Sequence, residues 1–274
     1  MNMNISNKKN DGSINYEKSL QYWADIPPTV DGVLGGFGFI SNIDIEGSEL
    51  FLKCLFSLDN PPLRNTALDC GAGIGRITKL LLIPHFERVE IVEPNETFIN
   101  SIKEFVGEHE SKLGTLYKVG LQEFKPIRKY DVIWVQWVLG YLTDEDLIAY
   151  LIRCRDALEE DGVIVVKENV TSSGKIEKDH TDSSVTRTFK QYISIFKKCD
   201  LKRIKQCKQA NFPNGATVTT GEDTCSMLTV ARRGTPRKSL EWRTAAACDG
   251  DAALWIQGSD RPVKGAFSRN FHYT

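Results

Sequence analysis

The sequence predicts one doubly wound α/β domain, and three observations predict it. Strand-like apolar runs alternate with helical patterns through most of the chain. One of those runs, Thr66–Cys70, passes directly into Gly71-Ala-Gly-Ile-Gly75 and the start of a helix. The residues with chemical potential fall at or just after the carboxyl ends of the runs, where open parallel sheets take their ligands.

Taken in order, residues 1–15 are polar, rich in Asn and Lys, and read as a disordered N-terminus. Tyr16 to Gly38 carries Tyr22-Trp23, Pro27-Pro28 and a glycine-rich stretch, the composition of a structured cover rather than a linker. Residues 44–56 place Ile45, Leu50, Phe51, Cys54 and Leu55 at helical spacing before the breaker Asn60-Pro61-Pro62. Strands are expected at Thr66–Cys70, Val89–Val92, Thr115–Val119, Tyr130–Trp137 and Val163–Lys167, with helices near 76–82, 96–107 and 144–158 between them. Asp144 reads as the N-cap of the third helix and Asp161-Gly162 as the turn that ends it. A helix over 184–198 and a strand over 201–206 follow, with Asp182 as the cap of that helix. The domain is expected to span 16–214. Residues 215–274 lack a sustained period and read as an atypical, disordered tail in which Cys225–Val230 offers one closing strand.

Length and composition narrow the class. A chain of 274 residues buries one sizeable core, and 41% hydrophobic with 26% charged residues is ordinary for a globular protein. A net charge of −1 argues against a bulk electrostatic grip on nucleic acid. No apolar run approaches a membrane span and no secretion signal opens the chain, so a cytoplasmic or nuclear protein is expected. Seven scattered cysteines without Cys-x-x-Cys read as reduced thiols, and four histidines lack metal-ligand spacing, so no metal is expected. Arg232-Arg-Gly-Thr-Pro-Arg-Lys238 reads as a solvated tail rather than a nuclear signal.

The glycine turn lets backbone N–H groups approach a polar ligand at a helix N-terminus, and both dinucleotides and S-adenosylmethionine exploit such turns. Gly75 comes one place early for the dinucleotide pattern, and Asp69 before the turn would repel a pyrophosphate, so the spacing favours S-adenosylmethionine. Glu93, followed by Pro94-Asn95, ends the second strand where an acid accepts hydrogen bonds from ribose hydroxyls. Leu121-Gln122 follows the third strand, where an adenine ring would lie. Gln136 and Trp137 end the fourth, where the transferable methyl would point. Glu168-Asn169, Asp179 and Asp182-Ser-Ser184 supply a polar, acidic set after the fifth.

Tyr22-Trp23, Ile26-Pro-Pro-Thr-Val-Asp-Gly32, Leu68-Asp-Cys-Gly-Ala-Gly-Ile-Gly-Arg-Ile-Thr-Lys79, Tyr130-Asp-Val-Ile-Trp134 and Asp182-Ser-Ser-Val185 together resemble the alpha N-terminal protein methyltransferases over about residues 16–213. The resemblance implies a mostly parallel seven-stranded sheet under an N-terminal helical cover. It also implies methylation of the α-amine of proteins that begin Xaa-Pro-Lys after loss of the initiator Met. Gly71, Arg76, Glu93, Pro94, Asn95, Leu121, Gln122 and Gln136 would then hold S-adenosylmethionine. Trp23 and Trp137 would frame the substrate's N-terminus and proline, Asn169 would bond near its first residue, and Asp179 and Ser184 would receive its lysine. Asp182 would stand beside the reacting amine. Tyr141, its neighbour in the catalytic pair, takes the place of a histidine found in relatives. The residues leave open a small-molecule amine methyltransferase and a catalytically weak scaffold or partner subunit of the same fold, alone or in a homo- or hetero-oligomer. A nicotinamide oxidoreductase fits poorly, because the glycine spacing is wrong and no Tyr-x-x-x-Lys is present.

Overall fold

The computed structural model describes residues 14–171, 173–209 and 224–234. Its strands are β1 (Thr66–Cys70), β2 (Arg88–Val92), β3 (Leu113–Tyr117), β4 (Tyr130–Gln136), β5 (Leu158–Thr171), β6 (Glu177–Asp179), β7 (Ser184–Thr186), β8 (Leu201–Lys208) and β9 (Thr224–Arg233). Seven of them form one sheet in the order β3-β2-β1-β4-β5-β9-β8, and β6 pairs with β7 in a separate hairpin. The pairs from β3 to β5 are parallel, while β9 lies antiparallel to both β5 and β8. The expected doubly wound, mostly parallel seven-stranded sheet is present. Between β1 and β4 the winding reverses, which opens a crevice at their carboxyl ends.

The helices are α1 (Tyr16–Ala24), α2 (Val30–Val33), α3 (Ser41–Phe56), α4 (Glu96–Val106), α5 (Asp144–Asp156) and α6 (Phe189–Lys198), with a π-helical turn at Thr78–Leu82. Strand periodicity sorts the core into two layers. Ala67, Val132, Trp134, Val163 and Val165 face the layer that holds Leu52 and Leu55 of α3 and Ile99 and Ile102 of α4. Their neighbours Leu68, Ile133, Val135, Ile164 and Val166 face Leu147 and Leu151 of α5 and Tyr192 and Phe196 of α6. Continued by the same alternation, Gln136 and Lys167 belong with the α3 face and Glu168 with the α5–α6 face. All three are buried polar side chains at the crevice end of the sheet.

Several expectations are corrected. Residues 184–186 form a strand, because Ser184-Val-Thr186 pairs with Glu177–Asp179, and α6 begins only at Phe189. Thr188, not Asp182, caps α6: it shares a reciprocal capping box with Gln191, while the Asp182 carboxylate accepts the Ser184 N–H inside the β6–β7 turn. Thr143, rather than Asp144, caps α5 through its hydroxyl, which accepts the Asp146 N–H. Asp161-Gly162 does not end a helix, since β5 already begins at Leu158. The third strand runs two residues earlier than expected. The sheet also passes the boundary expected at 214: β9 extends Cys225–Val230 at both ends and fills the gap between β5 and β8. Arg232 and Arg233 belong to that strand rather than to a solvated tail, and the Arg233 guanidinium donates to the carbonyls of Arg155, Asp156 and Leu158. Residues 1–13, 210–223 and 235–274, and with them most of the expected tails, lie outside the described residues. Cys70, Cys154, Cys199, Cys207 and Cys225 are free thiols.

If Thr188 is the cap of α6, Thr188→Ala should lower the unfolding free energy by about 1 kcal/mol, the ordinary worth of an N-cap. Asp182→Ala should cost α6 nothing. Hydrogen–deuterium exchange of the first turn of α6 in both variants would decide: faster exchange there in Asp182→Ala would restore the Asp182 cap, whereas a general loss would reflect its bonds to Tyr141 and Ser184.

Candidate active site

The crevice at the β1–β4 reversal is a cavity roofed by α1 and α2. Gly71, Ala72, Gly73 and Arg76 form one wall, followed by Glu93, Pro94 and Asn95, then Leu121 and Gln122, then Gln136, Trp137 and Tyr141, with Trp23 above. The chain turns here only because Gly71 and Gly73 hold left-handed backbone (φ +70° and +58°). A Cβ at Gly71 would stand 2.6 Å from the Val138 side chain.

Acidic groups set the cavity's electrostatics. One Glu93 oxygen accepts the Gly73 N–H and the other the Asn95 N–H, each at 2.8 Å. Burial nevertheless dominates and pushes the Glu93 carboxyl up to about 7. Asp69, in the same wall, is pushed up to about 6 by burial, against the hydrogen bond it accepts from Thr78 at 2.6 Å. Arg76 is nearly buried, and its guanidinium pairs with Asp44 of α3 at 2.7 Å. Asp44 accepts from Gln136 (3.0 Å to each oxygen) and from the Lys167 ammonium as well. Burial alone would raise the Asp44 carboxyl, but the charges of Lys167 and Arg76 outweigh it and hold the group below the ordinary value.

A different set of groups gathers at the other end. The Tyr141 hydroxyl donates to Asp182 at 2.6 Å, and the Tyr141 ring lies edge-on to Trp23. Burial, then the Asp182 charge, pushes the Tyr141 hydroxyl well above the ordinary tyrosine range. Trp137 holds a left-handed backbone (φ +53°), and its ring N–H donates to Ser226 of β9 at 3.3 Å. Such a conformation costs a bulky residue about 1–3 kcal/mol and is concentrated at functional sites.

Eleven of the expected site residues line this one cavity: Trp23, Gly71, Arg76, Glu93, Pro94, Asn95, Leu121, Gln122, Gln136, Trp137 and Tyr141. Asp182 joins them through Tyr141. Asp179 and Ser184 are cross-strand partners in the β6–β7 hairpin, away from the cavity wall, and Asn169 lies half-buried on β5 opposite Ser226. Asn95 lines the cavity while its side-chain oxygen caps α4 and its amide nitrogen donates to the Trp23 carbonyl at 2.7 Å. Asp44, Lys167 and Arg187 were not expected at all. A charged residue inside an apolar α3 or β5 pattern was the one available signal.

These groups fit S-adenosylmethionine. Glu93 puts a buried carboxylate on the cavity wall as a candidate hydroxyl acceptor, and the glycine backbone leaves room for close approach. Arg76 gives the wall a cation for a carboxylate, in a region where two cations surround one Asp44. Fold and site together define an S-adenosylmethionine-dependent methyltransferase. Within that class the chain belongs to the family described as AdoMet dependent proline di-methyltransferase, whose model matches residues 11–219. It is 46% identical over 202 residues to N-terminal Xaa-Pro-Lys N-methyltransferase 1-A of Xenopus laevis, and 45% identical over 202 residues to N-terminal Xaa-Pro-Lys N-methyltransferase 1 of Homo sapiens. In both cases the match spans 73% of this chain and 90% of the relative. A solved SAM-dependent methyltransferase from Leishmania major superposes with a TM-score of 0.70 at 33% identity, covering 78% of this chain and 82% of that one. Among the described residues no group of His, Cys, Asp and Glu could hold a metal ion, and no helix is long and apolar enough to cross a membrane.

Asp69, Glu93 and Glu168, the last also pushed up to about 7 by burial, hold protons more tightly folded than unfolded. Their contribution to stability is therefore full below the unfolded values of about 3.9–4.3 and is lost as the pH rises through the folded ones. Asp44 has the opposite sign and matters only in stronger acid. The ligand-free protein should accordingly melt at a lower temperature at pH 7.5 than at pH 5, roughly the window set by these shifts. Glu93→Gln should flatten part of that slope. Thermal melts at constant ionic strength test both, and a melting temperature that climbs across this window would refute the assignment.

Proposed function

We propose that this protein transfers methyl groups from S-adenosylmethionine to the α-amine of proteins whose processed N-terminus reads Xaa-Pro-Lys, acting in the cytoplasm or nucleus. The observation that carries the reading is the hydrogen-bonded Tyr141–Asp182 pair, with Tyr141 edge-on to Trp23 and lining the same cavity as Trp23 and Trp137. The printed activity of the relatives at 45–46% identity supports it.

S-adenosylmethionine supplies an electrophilic methyl on a sulfonium, and the rest falls to the chain. Glu93 would accept the ribose hydroxyls, Arg76 would pair with the carboxylate, Leu121 and Gln122 would border the adenine, and Gln136 would help hold the methyl end. Trp23 and Trp137 present aromatic faces between which proline fits at small entropic cost. The β6–β7 hairpin brings Asp179 and Ser184 opposite each other as acceptors for a lysine ammonium, with Asn169 bonding near the first residue.

Methyl transfer needs the amine's lone pair. An α-amine has an ordinary pKa of about 7.7–8.0, so about a fifth is already neutral near pH 7.2. The enzyme has little proton to remove and chiefly needs to orient, which is worth roughly 7–11 kcal/mol in well-placed reactants. Asp182 holds the amine and takes its departing proton toward water. Tyr141 keeps its own proton, fixes Asp182 by donating to it, and is not the base.

Mass spectrometry of a Ser-Pro-Lys-Arg peptide incubated with the protein and S-adenosylmethionine should show stepwise methyl gains, and an N-acetylated copy should show none. Asp182→Asn should lower kcat about 100-fold, within the range of a lost general base, with cofactor affinity unchanged. Equal methylation of the acetylated peptide would overturn the α-amine reading. Full activity of the Asn variant would remove Asp182 from its role.

A further inference from the structure

The turn after β4 carries both Trp137 and Tyr141, and two buried ionisable side chains hold it, one through its donors and one through its acceptors. One oxygen of Glu168, on β5, accepts the backbone N–H groups of Val138 (2.8 Å) and Leu139 (2.7 Å). Arg187, 2% exposed, donates to the carbonyls of Leu139 (2.9 Å) and Leu142 (2.5 Å) and to the Asp144 carboxylate (2.9 Å). The donors at the start of the turn and acceptors along it are thus taken up by side chains from two other parts of the chain. Between them, Gly140 packs so closely on β7 that a Cβ there would stand 2.8 Å from the Val185 carbonyl oxygen. Neither Glu168 nor Arg187 lines the cofactor cavity, and neither is used in the chemistry above.

We propose that Glu168 and Arg187 are positioning residues that clamp the 138–142 turn, setting Tyr141 against Asp182 and keeping Trp137 in its left-handed backbone. The inference rests on the proposed methyl transfer for its effect on rate, though not for the clamp itself. Trp137 directly follows β4, and its left-handed backbone turns the chain away from the sheet. A bulky residue keeps that conformation only where neighbours over-determine it. Released from Glu168, two buried N–H groups would lose their acceptor, and the turn would shift to find another. Since Tyr141 reaches Asp182 only through this turn, the shift would fall on the reacting end. The glycine turn at Gly71–Gly75 and Glu93 have hydrogen bonds of their own, and the 138–142 turn meets them through the Val138 side chain against Gly71, so a shift of the turn should cost cofactor affinity far less than it costs the Tyr141–Asp182 pair. The clamp uses Glu168 as an acceptor, a part that the carbonyl of a glutamine can also play.

The test uses Glu168→Ala, Glu168→Gln and Arg187→Lys in the full chain. Two readouts are taken beside peptide methylation: calorimetric affinity for S-adenosylhomocysteine, and hydrogen–deuterium exchange of segments 137–142 and 71–76. Glu168→Ala and Arg187→Lys should each lower kcat about 100-fold, the scale of an ångström-sized misplacement. S-adenosylhomocysteine affinity should stay within about threefold, a split that a general loss of folding would not give. Exchange should quicken in 137–142 only, as expected of a local opening. Glu168→Gln should restore both rate and protection. Unchanged exchange in Glu168→Ala, or loss of cofactor affinity in step with rate, would overturn the proposal, as would a Gln variant as damaged as the Ala one. If Glu168→Ala does not fold, Arg187→Lys decides by the same readouts. If the unaltered protein methylates no Xaa-Pro-Lys peptide, the functional reading falls, and the exchange data still judge the clamp.

Discussion

The architecture turns on one buried carboxylate. Asp44 of α3 is fully buried, and an unpaired charge there would be untenable, so the sequence surrounds it with Arg76 from the glycine turn, Gln136 from β4 and Lys167 from β5. Ser48 and Gln209 take up further Lys167 donors. Four elements from distant parts of the chain therefore meet at one point directly behind the cavity. Arg76 and Lys167 both pair with Asp44, and Arg76 brings its cation to the cavity wall. The arrangement gives fixed register more than stability, because well-packed apolar residues can match a buried ion pair in free energy. What they cannot match is its demand that Arg76 and Gln136 point one way only.

Above the cavity, α1 joins the two halves of the site. On the cofactor side, the Trp23 carbonyl accepts from Asn95. On the hairpin side, the Ser19 hydroxyl donates to the Asp182 carbonyl at 2.8 Å, and the Asn15 N–H donates to Ser183 at 2.8 Å. The Tyr16 hydroxyl anchors the helix start on Asp146 at 2.5 Å. Because the same short helix touches the α4 cap and the Asp182 turn, its placement over one end of the cavity fixes its placement over the other. Trp23 enters the site on this helix, so the aromatic frame of the proposed peptide slot depends on contacts made with the cofactor end.

The sheet was legible because its signal is local. Buried parallel strands read as continuous apolar runs, and the Gly71–Gly75 turn follows from spacing alone. The same parity that sorts Val163 and Val165 from Ile164 and Val166 assigns Lys167 to the α3 face and Glu168 to the α5–α6 face, yet it names no partner for either. Asp44 was illegible for that reason: one acid inside a helix reads as a solvated position until the fold brings three donors to it. The 182–188 segment misled for another reason. Asp182 and Thr188 are both good N-cap residues, and only the pairing of Ser184–Thr186 with the distant Glu177–Asp179 decides between them. β9 was half-legible, since its strand character shows in Cys225–Val230 while its place between β5 and β8 is a purely tertiary fact.

On the proposed mechanism, the Tyr141–Asp182 pair is suited to an α-amine and ill suited to a lysine side chain. A tyrosine held protonated by burial and by its acidic neighbour cannot take a proton near neutral pH. On this reading Asp182 receives it, and a carboxylate beside an ammonium also favours the charged form by attraction. For a lysine side chain, at about 10.4, less than about a hundredth would be neutral near physiological pH, and a site without a stronger base would seldom meet the reactive form. For an α-amine near 8, the neutral form is already common, and the same attraction costs only a modest part of it. The physical demand then passes from basicity to geometry. That is the demand met by a tyrosine that fixes the carboxylate, two tryptophans that frame a proline, and a turn clamped at both its donors and its acceptors.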